Sequence, residues 1–211
     1  MADLAKLRDA VMNGNDKGAV EAAREALAAG ADPVSLVTEG VTPAMAEVGR
    51  KFECGEAFVP ELLIAARATK AVFEILRPRL AQQGAQPVGR VVVGTVKGDL
   101  HDIGKNLVAA MLEGGGFEVI DLGVNVTPEK FVETAQARNA QIIGLSALLT
   151  TTMPAMKATI DAVAKASLKG KVKVMVGGAP VTQAFADEIG ADGYGETAAS
   201  AVGVARKLIG K

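Results

Sequence analysis

From Arg90 to the carboxyl end the chain repeats one pattern: a short β-branched run, a chemically distinctive turn, then a helix-length segment. The runs are RVVVGTV (90–96), FEVIDLG (117–123), AQIIGLSA (140–147) and KVKVMVGG (171–178). A weaker fifth, ADGYG (191–195), precedes a last helical segment, ETAASAVGVARKLIG (196–210). Strands that alternate with helices require crossover connections and a parallel sheet covered on both faces. The pattern predicts a doubly wound, five-stranded flavodoxin-like or Rossmann-like sheet over residues 90–211. Ligands of such sheets sit at the carboxyl ends of the strands.

The first part of the chain follows a different period. ADLAKLRDAVMNG (2–14) and DKGAVEAAREALAAG (16–30) read as helices, each closed by a glycine just past its last apolar residue. Residues 31–55 add another helical stretch, with a bend expected at Gly40 and Pro43. The longest helix spans 57–82, and Pro60 suits its first turn. Leu62, Ala66, Thr69, Phe73 and Leu76 recur there at helical spacing, Thr69 being the polar member of that face. Short links between successive helices predict an antiparallel bundle of about four. The expected organisation is α followed by α/β: a helical domain over 1–82, a linker over 83–89 and a Rossmann-like domain over 90–211.

Charge and composition exclude several classes of function. Lys and Arg total 23 against 24 Asp and Glu, a net charge of -1, so no basic footprint marks a nucleic-acid or anionic-membrane partner. The opening residues form a mixed-charge amphipathic pattern, unlike a signal peptide. No apolar run approaches the ~18–20 residues of a membrane span. One cysteine, Cys54, leaves no internal disulfide and fits a reducing, cytoplasmic setting. With one His and one Cys, a self-contained zinc site has too few ligands.

The distinctive residues collect at strand ends. The first strand leads into KGDLHDIG (97–104), which holds the chain's single histidine, His101. The third leads into LSALLTTTMP (145–154), the fourth into VGGAP (176–180) and the fifth into GYGET (193–197), with the single tyrosine. One sheet edge gathers these ends, so they line one groove. Each also has an ordinary reading. His101 suits a solvated loop or cap, the threonines suit N-caps of a helix at Pro154, and the glycine pair suits a tight turn. Simple enzyme classes fit poorly. The first strand–helix turn lacks G-x-G-x-x-G, no G-x-S-x-G elbow occurs, and the third strand ends in Ser146 where a phosphoacceptor receiver needs Asp.

Taken together, Asp99-Leu100-His101-Asp102-Ile103-Gly104, Ser146-Ala147-Leu148 and Gly177-Gly178 resemble the D-x-H-x-x-G, S-x-L and G-G signature of cobalamin-binding domains in corrinoid methyl carriers and methionine synthase. The spacings match: 41 residues separate Gly104 from Ser146, and 28 separate Leu148 from Gly177. VGRKFECGEAFVPELLIAARA (48–68) is similar to the helical cap that precedes the B12 domain in those proteins.

The resemblance implies that His101 Nε2 ligates cobalt in place of the cofactor's own dimethylbenzimidazole. Asp99 then accepts the Nδ1 proton, and Thr152 extends that relay. Neutral imidazole is a good transition-metal ligand, and a carboxylate on its second nitrogen fixes the tautomer. Asp102 is expected to act as a helix N-terminal charge. Gly104 leaves room for the displaced nucleotide tail; Ser146, Leu148, Thr150, Gly177 and Gly178 line its path. Tyr194 and Gly195 either close the far end or form an ordinary turn. Phe58 either caps the reactive face or joins the bundle core. Of Leu62 and Leu63, Leu62 fits the core better.

The function so implied is that of a corrinoid protein binding cobalamin base-off and His-on, as methylcob(III)alamin, cob(I)alamin or a related corrinoid. Its partners are a substrate-specific methyltransferase, a second methyltransferase acting on a thiol or pterin, and a reductive activation protein; no nucleic acid or membrane partner is expected. No catalytic residue is assigned, because the chain acts as a subunit of a methyltransferase system. The rival readings are the small B12 subunit of an adenosylcobalamin mutase and a B12-dependent regulator. The helical cap has no purpose in the first, and a DNA-binding module has no residues to spare in the second.

Overall fold

The computed structural model describes residues 4–211. The start of the first expected helix, Ala2 and Asp3, lies outside the described residues. Two compact units form, one from the residues up to Val88 together with Ala110–Gly116, the other from Gly89–Ala109 and Phe117–Lys211. A linear division at the linker leaves the Ala110–Gly116 segment out of the helical unit.

In the helical unit, α1 (Ala5–Met12) and α2 (Asp16–Ala28) are followed by α3 (Pro33–Ser35), a π-helical segment (Leu36–Val41), α4 (Thr42–Glu53) and α5 (Val59–Gln82). The bend expected at Gly40 and Pro43 is this π segment. Its wider turn, in which the Thr42 N–H donates to the Val37 carbonyl, carries the chain into α4 with Pro43 at the junction. Gly40 packs closely inside it, because a Cβ would lie 2.8 Å from Leu7 Cδ2 and displace that side chain. Leu7, Leu36, Met45, Leu62 and Leu76 are fully buried in this unit. Along α5 the buried stripe runs through Ala65, Ala68 and Val72 as well as Leu62, Thr69, Phe73 and Leu76, while Ala66 is half-buried. The Thr69 hydroxyl is buried with no hydrogen-bond partner among the described residues.

In the α/β unit the strands are β1 (Arg90–Thr95), β2 (Glu118–Asp121), β3 (Ile142–Ser146), β4 (Lys173–Gly177) and β5 (Gly193–Gly195). They pair in parallel in the order β2-β1-β3-β4-β5, which selects the flavodoxin-like alternative over the Rossmann order. The intervening helices are α6 (Ile103–Gly114), α7 (Pro128–Ala137), α8 (Pro154–Lys165) and α9 (Gln183–Ile189), with α10 (Ala198–Leu208) last. Val91, Val92 and Val93 are all buried, as a central strand with both faces covered requires. Phe131 and Met156 pack from the helices against Val92, Ile143, Leu145, Val174 and Val176. The register sets Thr95 beside Ser146 and Ser146 beside Gly177, so three motifs begin in one line at one sheet edge.

Candidate functional site

Strand order reverses between β1 and β3, and the connections leaving these two strands diverge to create a crevice. Into it the β1–α6 loop brings Asp99 and His101, and the β3–α8 loop brings Leu148, Leu149 and Thr152. Asp99 is wholly buried, yet every lone-pair direction of its carboxylate is used. Oδ1 accepts from His101 Nδ1 at 2.7 Å and from the His101 backbone N–H at 3.1 Å. Oδ2 accepts from the N–H groups of Leu148 (2.8 Å) and Leu149 (3.2 Å) and from the Thr152 hydroxyl (2.7 Å). Burial alone pushes this carboxyl up. Donation by Leu148, the imidazole, Thr152 and the His101 amide outweighs burial and holds it far below the usual carboxylate range.

An anionic Asp99 places the imidazole proton on Nδ1 and leaves Nε2 as the basic nitrogen. The His101 side chain is 51 % exposed, and Nε2 has no hydrogen bond among the described residues. The His101 carbonyl accepts from the buried Thr95 hydroxyl at 2.8 Å, which pins the loop to the end of β1. The aspartate and histidine expected to pair therefore do so, and Thr152 joins them. The threonines do not cap α8: Met153 holds the N-cap position without a side-chain bond. Asp102 lies just before α6, its carbonyl accepting from the Asn106 N–H and its carboxylate from the Asn106 amide.

Around His101 the surface is unusually apolar. Leu100 is 70 % exposed, Ile103 68 %, and Leu148 and Leu149 remain substantially exposed on the facing loop. A Cβ added at Gly104 would meet nothing within 4 Å. A free imidazole nitrogen on the same pair of connections as exposed leucines and an isoleucine, with an open glycine nearby in sequence, fits a large macrocycle with a central metal and an appended tail. The donor set is right as well, being a neutral imidazole backed by a carboxylate.

The other expected residues are distributed along the same edge. Ser146 is half-buried, its hydroxyl unbonded among the described residues, and Thr150 is exposed. Gly177 and Gly178 have packing reasons of their own. A Cβ at Gly177 would lie 2.9 Å from the Gly195 carbonyl oxygen, and one at Gly178 would overlap the Ala147 carbonyl. Tyr194 is half-buried and donates its hydroxyl to the Val181 carbonyl at 2.9 Å, holding the β4 and β5 ends together. In the helical unit Phe58 is 66 % exposed, so it is not a core residue; its N–H donates to Glu61 at 3.0 Å at the start of α5. Leu62 is core and Leu63 is exposed.

Sequence reasoning missed the end of β2. Lys105 is buried, and its ammonium donates to Asp121 and Asn106, both at 2.6 Å. Asp121 also accepts from the Gly123 N–H at 2.8 Å, and Asn125 contacts the Asp99 loop. The available signal was the polar Asn125 set between two valines in GVNV, directly after a strand.

A 2-1-3-4-5 sheet with a carboxylate-backed imidazole at its switch point fits the cobalamin-binding domain that the sequence motifs resemble. Residues 89–203 match the B12 binding domain family, and residues 4–77 match a second family also described as a B12 binding domain. The chain is 48 % identical to trimethylamine corrinoid protein 1 of Methanosarcina mazei over 94 % of its own length and 93 % of that relative. It is 46 % identical to dimethylamine corrinoid protein 1 of Methanosarcina acetivorans, over 92 % and 91 % respectively. Among solved structures, the methanol:cobalamin methyltransferase complex MtaBC from Methanosarcina barkeri superposes with a TM-score of 0.85 at 32 % identity. That match covers 98 % of this chain and 79 % of that one. The chain belongs to the B12-binding corrinoid protein family of methyltransferase systems. It binds a corrinoid cofactor.

Proposed function

We propose that this corrinoid protein carries a methyl group on cobalamin from a methylamine-specific methyltransferase to a second methyltransferase, which passes it to a thiol or pterin. A reductive activation protein restores the carrier after accidental oxidation. The observation that carries the reading is the Asp99–His101 pair, which leaves Nε2 free at an apolar, exposed edge. Likeness along nearly the whole chain to tri- and dimethylamine corrinoid proteins supports methylamines as the donor class, and disfavours the mutase-subunit and regulator readings.

In this account bound cobalamin supplies the metal that takes up and releases the methyl group, and the chain's residues hold that metal in place and in its electronic state. His101 would hold the cobalt through Nε2. Asp99 keeps the proton on Nδ1, and its own charge is kept by Thr152 and the Leu148 and Leu149 amides. Gly104, Ser146, Leu148 and Thr150 receive the nucleotide tail, with Gly177, Gly178 and Tyr194 shaping the end of its path. We assign residues 1–82 as the cap domain, 83–89 as linker and 90–211 as the B12 domain. The exposed Phe58 and Leu63 are the cap's shielding side chains. Among the described residues no helix is long and apolar enough to cross a membrane. The exposed thiol of Cys54 fits the reducing cytoplasm, where we place the protein.

The test is methyl uptake by purified, reduced holo-protein. It should take methyl from methyl iodide but from no methylamine until a cognate methylamine methyltransferase is added. Uptake from a methylamine with no second protein present would make the chain an enzyme in its own right and sink the carrier assignment.

A further inference from the structure

The turn that aims Asp99 is held partly by a residue from another loop. Beyond β2 the chain runs on beside the continuation of β1. The Leu122 N–H donates to the Val93 carbonyl (2.9 Å), the Thr95 N–H to the Gly123 carbonyl (2.9 Å) and the Val126 N–H to the Thr95 carbonyl (3.0 Å). Val96 and Val126 then form a last parallel bridge. Asn125 sits inside this extension with φ +55°, a left-handed conformation that asparagine tolerates better than most side chains.

That conformation turns both polar ends of Asn125 onto the His101 loop. Its Oδ1 accepts from the Gly98 N–H at 2.8 Å, and its own N–H donates to the Asp99 carbonyl at 3.0 Å. The two bonds bracket the Gly98–Asp99 peptide. The Asp99 N–H donates to the Val96 carbonyl (3.1 Å), and Thr95 secures the His101 carbonyl. The Gly98 N–H, the Asp99 N–H and carbonyl, and the His101 carbonyl are thereby paired, and Asn125 supplies two of the partners. The Lys105–Asp121 contact, with Asp121 accepting from Gly123, anchors the loop that carries Asn125.

We propose that Asn125 is a positioning residue for the axial ligand: by fixing the Gly98–Asp99 peptide it sets the direction of the Asp99 carboxylate and hence the Nδ1–H tautomer of His101. Among the described residues Asn125 hydrogen-bonds to Gly98 and Asp99 and not to the imidazole, so it acts through Asp99. The inference rests on the reading of His101 as the cobalt ligand, and its test separates the two.

His101 is the chain's only histidine, so uniform ¹⁵N-histidine labelling gives one imidazole in the spectrum. In the apo wild type the Nδ1–H tautomer should dominate, with a slowly exchanging proton. Asn125→Gly keeps the left-handed backbone and removes only the acceptor for the Gly98 N–H. It should leave the amide spectrum of the sheet unchanged while the fraction in the Nδ1–H tautomer, relative to the other, falls about three- to tenfold, as one lost hydrogen bond gives. Asn125→Asp restores an acceptor oxygen and should return the wild-type imidazole signals. The proposal is overturned if Asn125→Gly keeps the wild-type tautomer ratio, if Asn125→Asp behaves like Asn125→Gly, or if Asn125→Gly collapses the amide spectrum, which would make Asn125 a folding residue. A wild-type cobalamin complex without a histidine nitrogen on the metal would instead overturn the ligand reading, whatever the Asn125 variants do.

Discussion

Asp99 Oδ2 and Thr152 Oγ1 lie 2.7 Å apart, joining the loop after β1 to the loop after β3 across the switch point of the sheet. The same hydroxyl is 2.8 Å from the Leu149 carbonyl, so one proton serves two acceptors. With the Leu148 and Leu149 amides on the same oxygen, this contact lets a buried carboxylate stay charged behind the His101 imidazole.

The first prediction is a pH-dependent stability difference in the apo protein. A carboxyl held below its unfolded value contributes stability that is fully present above about pH 4 and is lost as pH falls through the folded value. Asp99→Asn should therefore cost about 1–3 kcal/mol at pH 7, because donors aimed at Asp99 lose their acceptor. The gap from wild type should narrow below pH 4. Urea unfolding at pH 7 and at pH 3 measures it, and a gap that is constant or grows toward acid contradicts the charged state assigned to Asp99.

Two glycines of the signature should behave in opposite ways. Gly104 is in the first turn of α6 with open space beside it, so Gly104→Ala should raise apo stability by about 0.5–1 kcal/mol. Gly104→Val should weaken cobalamin binding while leaving binding of cobinamide, which lacks the tail, close to wild type. Gly178 has φ +133° and no room beside the Ala147 carbonyl, so Gly178→Ala should impair the fold before any ligand is added. Thermal melts of the apo variants, followed by titration with each corrinoid, separate the two cases. Equal binding of both corrinoids to the Gly104→Val protein would remove the tail from this position.

The buried lysine supports a third prediction. Lys105 is almost entirely enclosed, whereas its partner Asp121 is substantially exposed. Removing the carboxylate strands a buried cation, but removing the cation leaves Asp121 in water. Asp121→Ala should cost about 3 kcal/mol or more, and Lys105→Met clearly less. Denaturant midpoints of the two variants decide it; the reverse order would mean the ammonium is solvated.

How much of this was legible beforehand depended on whether the determinant was local. The five strands and the long α5 follow from nearby residues: periodicity, and Pro60 in a first turn. The pairing of Asp99 with His101 was implied by the resemblance of D-x-H-x-x-G, not by local spacing. The packing reasons for Gly177 and Gly178 were not legible, since Gly195 and Ala147 reach them only once the sheet is assembled. Asn125 was missed for the same cause. Its partners lie 26 and 27 residues earlier, and nothing in GVNV indicates that the turn will face Gly98 and Asp99. Read locally, the threonine cluster suited capping α8, and only the resemblance implied Thr152 as part of a relay. The loop geometry puts its hydroxyl on Asp99 Oδ2.

The central claim is that His101 ligates the cobalt of bound cobalamin. Because the chain holds one histidine, the most direct measurement is electron paramagnetic resonance of the cob(II)alamin complex made with ¹⁴N- and with ¹⁵N-histidine-labelled protein. Unlabelled cofactor is used in both. The account predicts that each cobalt line, split into a triplet by a ¹⁴N ligand, becomes a doublet with the ¹⁵N label, and that His101→Ala loses this coupling while retaining cofactor. A triplet that survives ¹⁵N-histidine labelling would show the cofactor's own base on the metal and contradict the assignment of His101.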